Sequence, residues 1–162
     1  MSMRAGLWTG LPDLDAAEHK YQVVASEADV DVLIALLARP ECNDGSLDHF
    51  GRELTEDGEP DHNVVLAVRG EWGYMYFVDN TFLGWPKGSP EAPYVNEKYT
   101  DFPPGVGVPL DLYRTLLIEF MTTGERPVSV DWYAESDLFH SWRNQQMALR
   151  AAAQKAGSEY QA

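Results

Sequence analysis

The chain's 162 residues, 44% hydrophobic with five Trp and eight Tyr, have the length of one domain and enough apolar mass for a core, which excludes a disordered acidic tail. A net charge of −14 repels nucleic acid and anionic membranes, so neither is expected as a direct partner. No apolar run nears the ~20 residues that span a bilayer, no basic region precedes an apolar stretch at the N-terminus, and the single Cys42 can make neither an internal disulfide nor a paired thiolate site; a reducing, cytoplasmic setting is expected.

In chain order, "KYQVVA" (20–25) reads as a short β-prone strand. Ser26 then stands as an N-cap with Asp29 three residues on, ahead of Val30, Leu33, Ile34 and Leu37 at helical spacing, and the helix ends before Pro40. Residues 41–62 are Gly- and acid-rich without periodicity and read as loop, with at most a helical turn around "SLDHFGREL". This segment holds Glu41, Asp44, Asp48, Glu53, Glu56, Asp57, Glu59 and Asp61 with Arg52 its only Lys or Arg, so it is either a solvated face or a patch that attracts a basic partner.

"NVVLAVRGEWGYMYFVDN" (63–80) reads as two strands joined around Arg69, Gly70 and Glu71, apolar on both faces and therefore central. "TFLGW" (81–85) extends the meander, "PKGSPEAPY" (86–94) is a loop, and "EKYTDF" (97–102) is an outer strand stopped by Pro103 and Pro104. From Leu110 the pattern turns helical, with Tyr113, Leu116, Leu117, Phe120 and Met121 on one face and Pro109 at the start. Gly124 fits the left-handed residue that closes such a helix, Pro127 prevents its continuation, and Val128, Val130 and Trp132 then alternate as a strand. After Ala134 a long helix carries Leu138, Trp142, Gln145, Leu149 and Ala152 on one stripe, against the same domain, a partner or a second copy. The sum is an α+β fold: a single domain, residues 1–134, whose mainly antiparallel sheet has helices packed on it, followed by a C-terminal helical extension, 135–162.

Chemistry is sparse. His19, His49, His62 and His140 form no ligand motif, and His49 and His62 read as surface residues beside the acidic loop. "ECNDGSLDHFGRE" lacks the alternating oxygens of a calcium loop, "GVGVPLDL" lacks the Lys of a phosphate loop, and no GxSxG elbow is present. No metal, cofactor or catalytic residue is assigned. One alternative is a small enzyme assembled in three dimensions around Cys42 and a His such as His49; another is an oligomeric scaffold using the 135–156 helix. The aromatics Trp72, Tyr74, Tyr76, Phe82, Trp85, Tyr94 and Tyr99 divide between core positions and interface anchors.

"FPPGVGVPLDLYRTLLIEFMTTGERPVSVDW" (102–132) resembles the C-terminal signature of the Imm-one family, bacterial immunity proteins of polymorphic toxin systems, through Pro104 and Gly105, Val108 to Leu110, Phe120, Gly124 to Pro127, and Trp132. The resemblance implies an α+β protein without catalytic activity or cofactor. Such a protein binds a cognate toxin, often a nucleic-acid deaminase, and neutralises it by occluding its active site or substrate channel. A helix beyond Trp132 is not expected in the minimal family pattern. The resemblance singles out no contact residues; charge and aromatic content point to Asp48, Glu53, Glu56, Asp57, Glu59 and Asp61 of the acidic segment with Trp72, Tyr74, Tyr76 and Trp85 of the meander as the toxin-binding residues. The partner is a basic, deaminase-like toxin domain, and oligomeric state is left open.

Overall fold

A computed structural model describes residues 1–9, 21–96 and 100–161. The elements run β1 (Met3–Thr9), β2 (Tyr21–Val24), α1 (Glu27–Leu37), β3 (Cys42–His49), β4 (His62–Arg69), β5 (Trp72–Asp79), β6 (Leu83–Pro86), β7 (Val95–Asn96), β8 (Asp101–Phe102), β9 (Val108–Pro109), α2 (Leu110–Thr123), β10 (Trp132–Ala134) and α3 (Glu135–Gln161). One mixed α+β domain results, with the order β2-β1-β3-β4-β5-β6-β10 and every neighbour antiparallel.

The hairpin expected in 63–80 is the middle of this sheet. β4 and β5 pair from His62↔Asp79 to Arg69↔Trp72, and Gly70 takes φ 58° in the two-residue turn, a conformation that costs glycine little. β5 then shares its free edge between β9 at its start and β6 at its end.

Helices cover one face. Ser26 caps α1 as the sequence predicts: its Oγ accepts from the Asp29 N–H at 3.1 Å, while the Asp29 carboxylate accepts from the Ala25 N–H at 3.0 Å. Val30, Leu33 and Leu37 of α1 and Tyr113, Leu116, Leu117, Phe120 and Met121 of α2 bury against Met3, Leu7, Leu47, Val64, Leu66, Met75 and Phe77. Each such side chain contributes about 1.5–3 kcal/mol relative to exposure. Tyr113 lies over Gly73, whose missing side chain makes room for the ring, and donates its hydroxyl to the Tyr74 carbonyl at 2.8 Å. Gly124 ends α2 at φ 70°.

Two expectations fail. "CNDGSLDH" is not loop but β3, paired with β1 on one side and β4 on the other. Asn, Asp and Gly are poor strand formers, yet a slot between two strands overrides propensity. Gly45 fits it because a Cβ there would sit 3.0 Å from the Gly6 carbonyl and 3.2 Å from Leu37. The strand expected from Val128 begins only at Trp132. The Glu119 carboxylate accepts from the Val128 N–H (2.7 Å), the Ser129 N–H (3.3 Å) and the Ser129 hydroxyl (2.6 Å), so the amides that a ladder would use are taken, and Val128 is 87% exposed.

The other face is finished on one half only. There Val95, Phe102 and Val106 from the 87–107 segment, with Leu138 of α3, cover Val65, Ala67, Tyr74 and Trp85. The Tyr74 hydroxyl donates to the Pro93 carbonyl at 2.9 Å. β7 and β8 form a separate two-stranded sheet here; residues 97–99 of the expected outer strand, Tyr99 included, lie outside the described residues, as does His19. α3 leaves the body after its first turns: Trp142 stacks on Tyr94 (5.3 Å, 23°), whereas residues 147–158 are all exposed. Among the described residues no helix is long and apolar enough to cross a membrane.

Candidate partner-binding surface

Only residues 50–61 of the acidic segment remain as loop, and they form a small hairpin standing off the end of β3 and β4. Leu54 bridges Pro60, the Thr55 N–H donates to the Glu59 carbonyl (2.7 Å), and Gly58 turns the chain at φ 79°. Glu53, Glu56, Asp57 and Glu59 are exposed on it. Leu54 (64% exposed) and Phe50 (54%) are exposed apolar side chains in the same loop.

A buried polar cluster fixes its base. Arg52, 11% exposed, donates to both Asp61 oxygens (2.8 and 3.1 Å) and to the Gly124 carbonyl (3.0 Å), and lies 3.4 Å from Asp79. The hydrogen-bonded guanidinium holds the Asp61 carboxyl below the usual carboxylate range, although burial opposes it. For Asp79 burial raises the value, but the Thr81 N–H and hydroxyl, the Phe82 N–H and the Arg52 charge outweigh it, so this carboxyl too titrates low.

His49 and His62, expected at the surface, are 4% and 6% exposed within this cluster. His49 accepts the Gly51 N–H at Nδ1 (2.9 Å), so its Nε2–H donates to the Met121 carbonyl (2.8 Å). His62 accepts the His49 N–H at Nε2 (2.8 Å) and donates from Nδ1 to Asp61 (2.9 Å). Both rings meet Phe120 edge-on. These histidines are structural ties between β3, β4 and α2.

That placement separates Cys42 from His49, the pair named in the enzyme alternative. Cys42 and His49 occupy opposite ends of β3, seven residues or ~23 Å apart, and Cys42 is fully buried. Among the described residues no group of three or more His, Cys, Asp or Glu side chains converges as a metal site.

The remaining expected residues separate. Asp48 and Asp61 are about a quarter exposed and already paired, Asp48 with Arg4 at 2.8 Å. Tyr74 (0% exposed) and Trp85 (3%) are core residues with no surface to offer a partner, which corrects their assignment as contacts. Tyr76 is half-buried against Trp85 (5.1 Å), and burial with the nearby Glu135 pushes its phenol up to about 12. Trp72 sits at the far end of β5 from Asp79, seven residues or ~23 Å away, so the hairpin and the meander do not form one patch.

Beside the hairpin lies the unfinished half of the sheet. Strand alternation sends Met3, Ala5 and Leu47 to the helices and turns Arg4, Asp48, Tyr21 and Val23 outward. Phe50 continues the ladder through its N–H to the Ser2 carbonyl (3.1 Å) and so shares that outer face. Tyr21 is 53% and Val23 61% exposed. A cleft of about 370 Å³ opens between Arg4, Asp48 and Phe50 on the sheet and Leu54, Gly58 and Pro60 on the hairpin. Sequence reasoning missed these apolar residues; Phe50 and Leu54, isolated in an acidic, aperiodic segment, were the available signal.

The "GERP" stretch is architectural. Arg126 stacks over Phe82, 3.7 Å from its ring centre, and the Trp132 indole N–H donates to the Pro127 carbonyl at 2.7 Å.

The outer face of β1 and β2 is thus an open sheet half-face edged by carboxylates. The family described as Immunity protein Imm1 matches residues 18–134, and the chain belongs to that family. The match spans far more than the 102–132 signature and stops one residue before α3. The family is non-enzymatic, and an immunity protein implies a cognate toxin as partner. No curated protein matches the sequence.

Proposed function

We propose that this chain binds a basic, nucleic-acid-modifying toxin of the deaminase type in the cytoplasm and neutralises it by covering its active site or substrate channel. The observation that carries the reading is where the charge sits. Residues 1–134 hold 23 Asp and Glu against nine Lys and Arg, the whole of the net −14, whereas 135–162 hold three of each. An enzyme that works on nucleic acid presents a basic channel, and an acidic protein reaches such a channel by electrostatic steering and competes with the polyanion for it. On this reading residues 1–134 are the neutralising body and 135–162 an extension to it. The test is deamination of single-stranded nucleic acid by the toxin encoded beside this chain. One equivalent of the protein is expected to abolish turnover and lower its affinity for the nucleic acid. A bound complex that still deaminates at the free rate contradicts the occlusion, and a toxin without deaminase activity contradicts the substrate class.

A further inference from the structure

We propose that the toxin docks on the open half-face of the sheet, that Val23, Phe50 and Leu54 are its anchors, and that the toxin presents there an apolar patch ringed by Lys and Arg. This rests on the chain being a toxin-neutralising immunity protein.

Exposed apolar side chains scattered singly need no explanation, but here they share one surface: Val23 (61%) on β2 and Phe50 (54%) just past β3 flank the Arg4–Asp48 pair from the two sides of β1, and Leu54 (64%) lies across the cleft from Phe50. Val23, Phe50 and Leu54 stay exposed on this half, whereas on the other half Val65, Ala67, Tyr74 and Trp85 are buried against Val95, Phe102 and Val106. Gly6 lies beneath Tyr21, where a Cβ would come within 3.2 Å of the Ser46 hydroxyl and 3.3 Å of the Tyr21 ring, so the absent side chain lets that ring lie across the strand.

The rim selects the partner's charge. Between Glu53 and Asp61 there is no Lys or Arg, and the two nearest cations, Arg4 and Arg52, are already engaged by Asp48 and Asp61. A second copy would bring −14 against −14, which disfavours self-association, whereas a basic protein gains from approach. The division of labour follows. Rim carboxylates accelerate encounter, and desolvated apolar anchors set how long the complex lasts. Because Arg52 and the two histidines hold the hairpin's base in place, Phe50 and Leu54 are positioned before the toxin arrives.

The experiment measures association and dissociation of the full chain with the catalytically inactivated toxin encoded beside it. Val23→Asp, Phe50→Asp and Leu54→Asp should each raise the dissociation rate about 10-fold or more. Leu149→Asp on α3, at an equally exposed site, should leave it unchanged. Unfolding midpoints verify that each variant folds, and Phe50→Ala gives the same direction without a new charge at the strand end. Reversing Glu53, Glu56, Asp57 and Glu59 to Lys should slow association and flatten its salt dependence. Unaltered dissociation in all three Asp variants overturns the docking surface alone, and a wild-type chain that does not bind the toxin overturns the proposed function with it. A wild-type dimer in sedimentation that Val23→Asp dissolves would place a second copy on the face and also overturn the proposal.

Discussion

The two halves of one sheet face differ in a single respect. Over β4, β5 and β6 the outward side chains Val65, Tyr74 and Trp85 lie under the 87–107 segment and the start of α3; over β1, β2 and the end of β3 the outward side chains Val23 and Phe50 meet solvent. The covered half stabilises the fold, and the open half is where we propose that the toxin docks. Aromatic content does not tell them apart, since the larger aromatics are in the covered half. The informative difference is which apolar groups remain uncovered, and which of those lie beside a fixed charge.

The contrast can be broken at graded cost. The largest effect is expected in the covered half: Phe102→Ala removes a fully buried ring packed 5.4 Å from Tyr74 and should cost about 3–5 kcal/mol in denaturant unfolding. Arg52→Ala comes next, because it leaves Asp61 and Asp79 without their cation at the hairpin's base. A loss of about 2–4 kcal/mol is expected, and Arg52→Lys should restore little of it because one ammonium cannot replace the two-pronged contact. Gly124→Ala forces a side chain into φ 70° and within 3.0 Å of the His49 ring, for about 1–2 kcal/mol. At the bottom of the scale, Val23→Ala should change stability by less than about 0.5 kcal/mol while weakening the toxin complex. If Val23→Ala unfolds the chain as Phe102→Ala does, the two halves are not different.

Acid offers a way to loosen the hairpin's base. The Asp61 and Asp79 carboxyls titrate below their ordinary value of 3.8 in the folded chain. A depressed carboxylate stabilises fully above its unfolded value and loses that contribution as pH falls through the folded one. Stability should therefore hold near neutrality and decline below pH 3.8, with a smaller decline in Asp79→Asn; unfolding midpoints on either side of that pH measure it.

Much of the fold is written in local pattern. The Ser26 cap, the β4–β5 hairpin, the apolar stripe of α2 and its stop at Gly124 each follow from residues within a turn or two of one another. What local pattern misses is imposed from a distance. β3 is a strand because β1 and β4 flank it, and Val128 and Ser129 are not in one, because the Glu119 side chain reaches from α2 to take their amides. The surface was half legible for the same reason. Carboxylates in a Gly-rich loop declare their exposure, and Glu53, Glu56, Asp57 and Glu59 are indeed exposed. Alternation in a strand that is apolar on both sides cannot say which side is covered, so Tyr74 and Trp85 looked like anchors while Val23 and Phe50 did not.

The most direct measurement is a side-chain footprint by hydroxyl-radical labelling of this chain, free and bound to its toxin. The open half-face predicts that Tyr21, Phe50 and Leu54 lose labelling in the complex while Met147 and Leu149 on α3 keep theirs. Protection of Met147 and Leu149 with Tyr21, Phe50 and Leu54 still labelled at the free rate would contradict it.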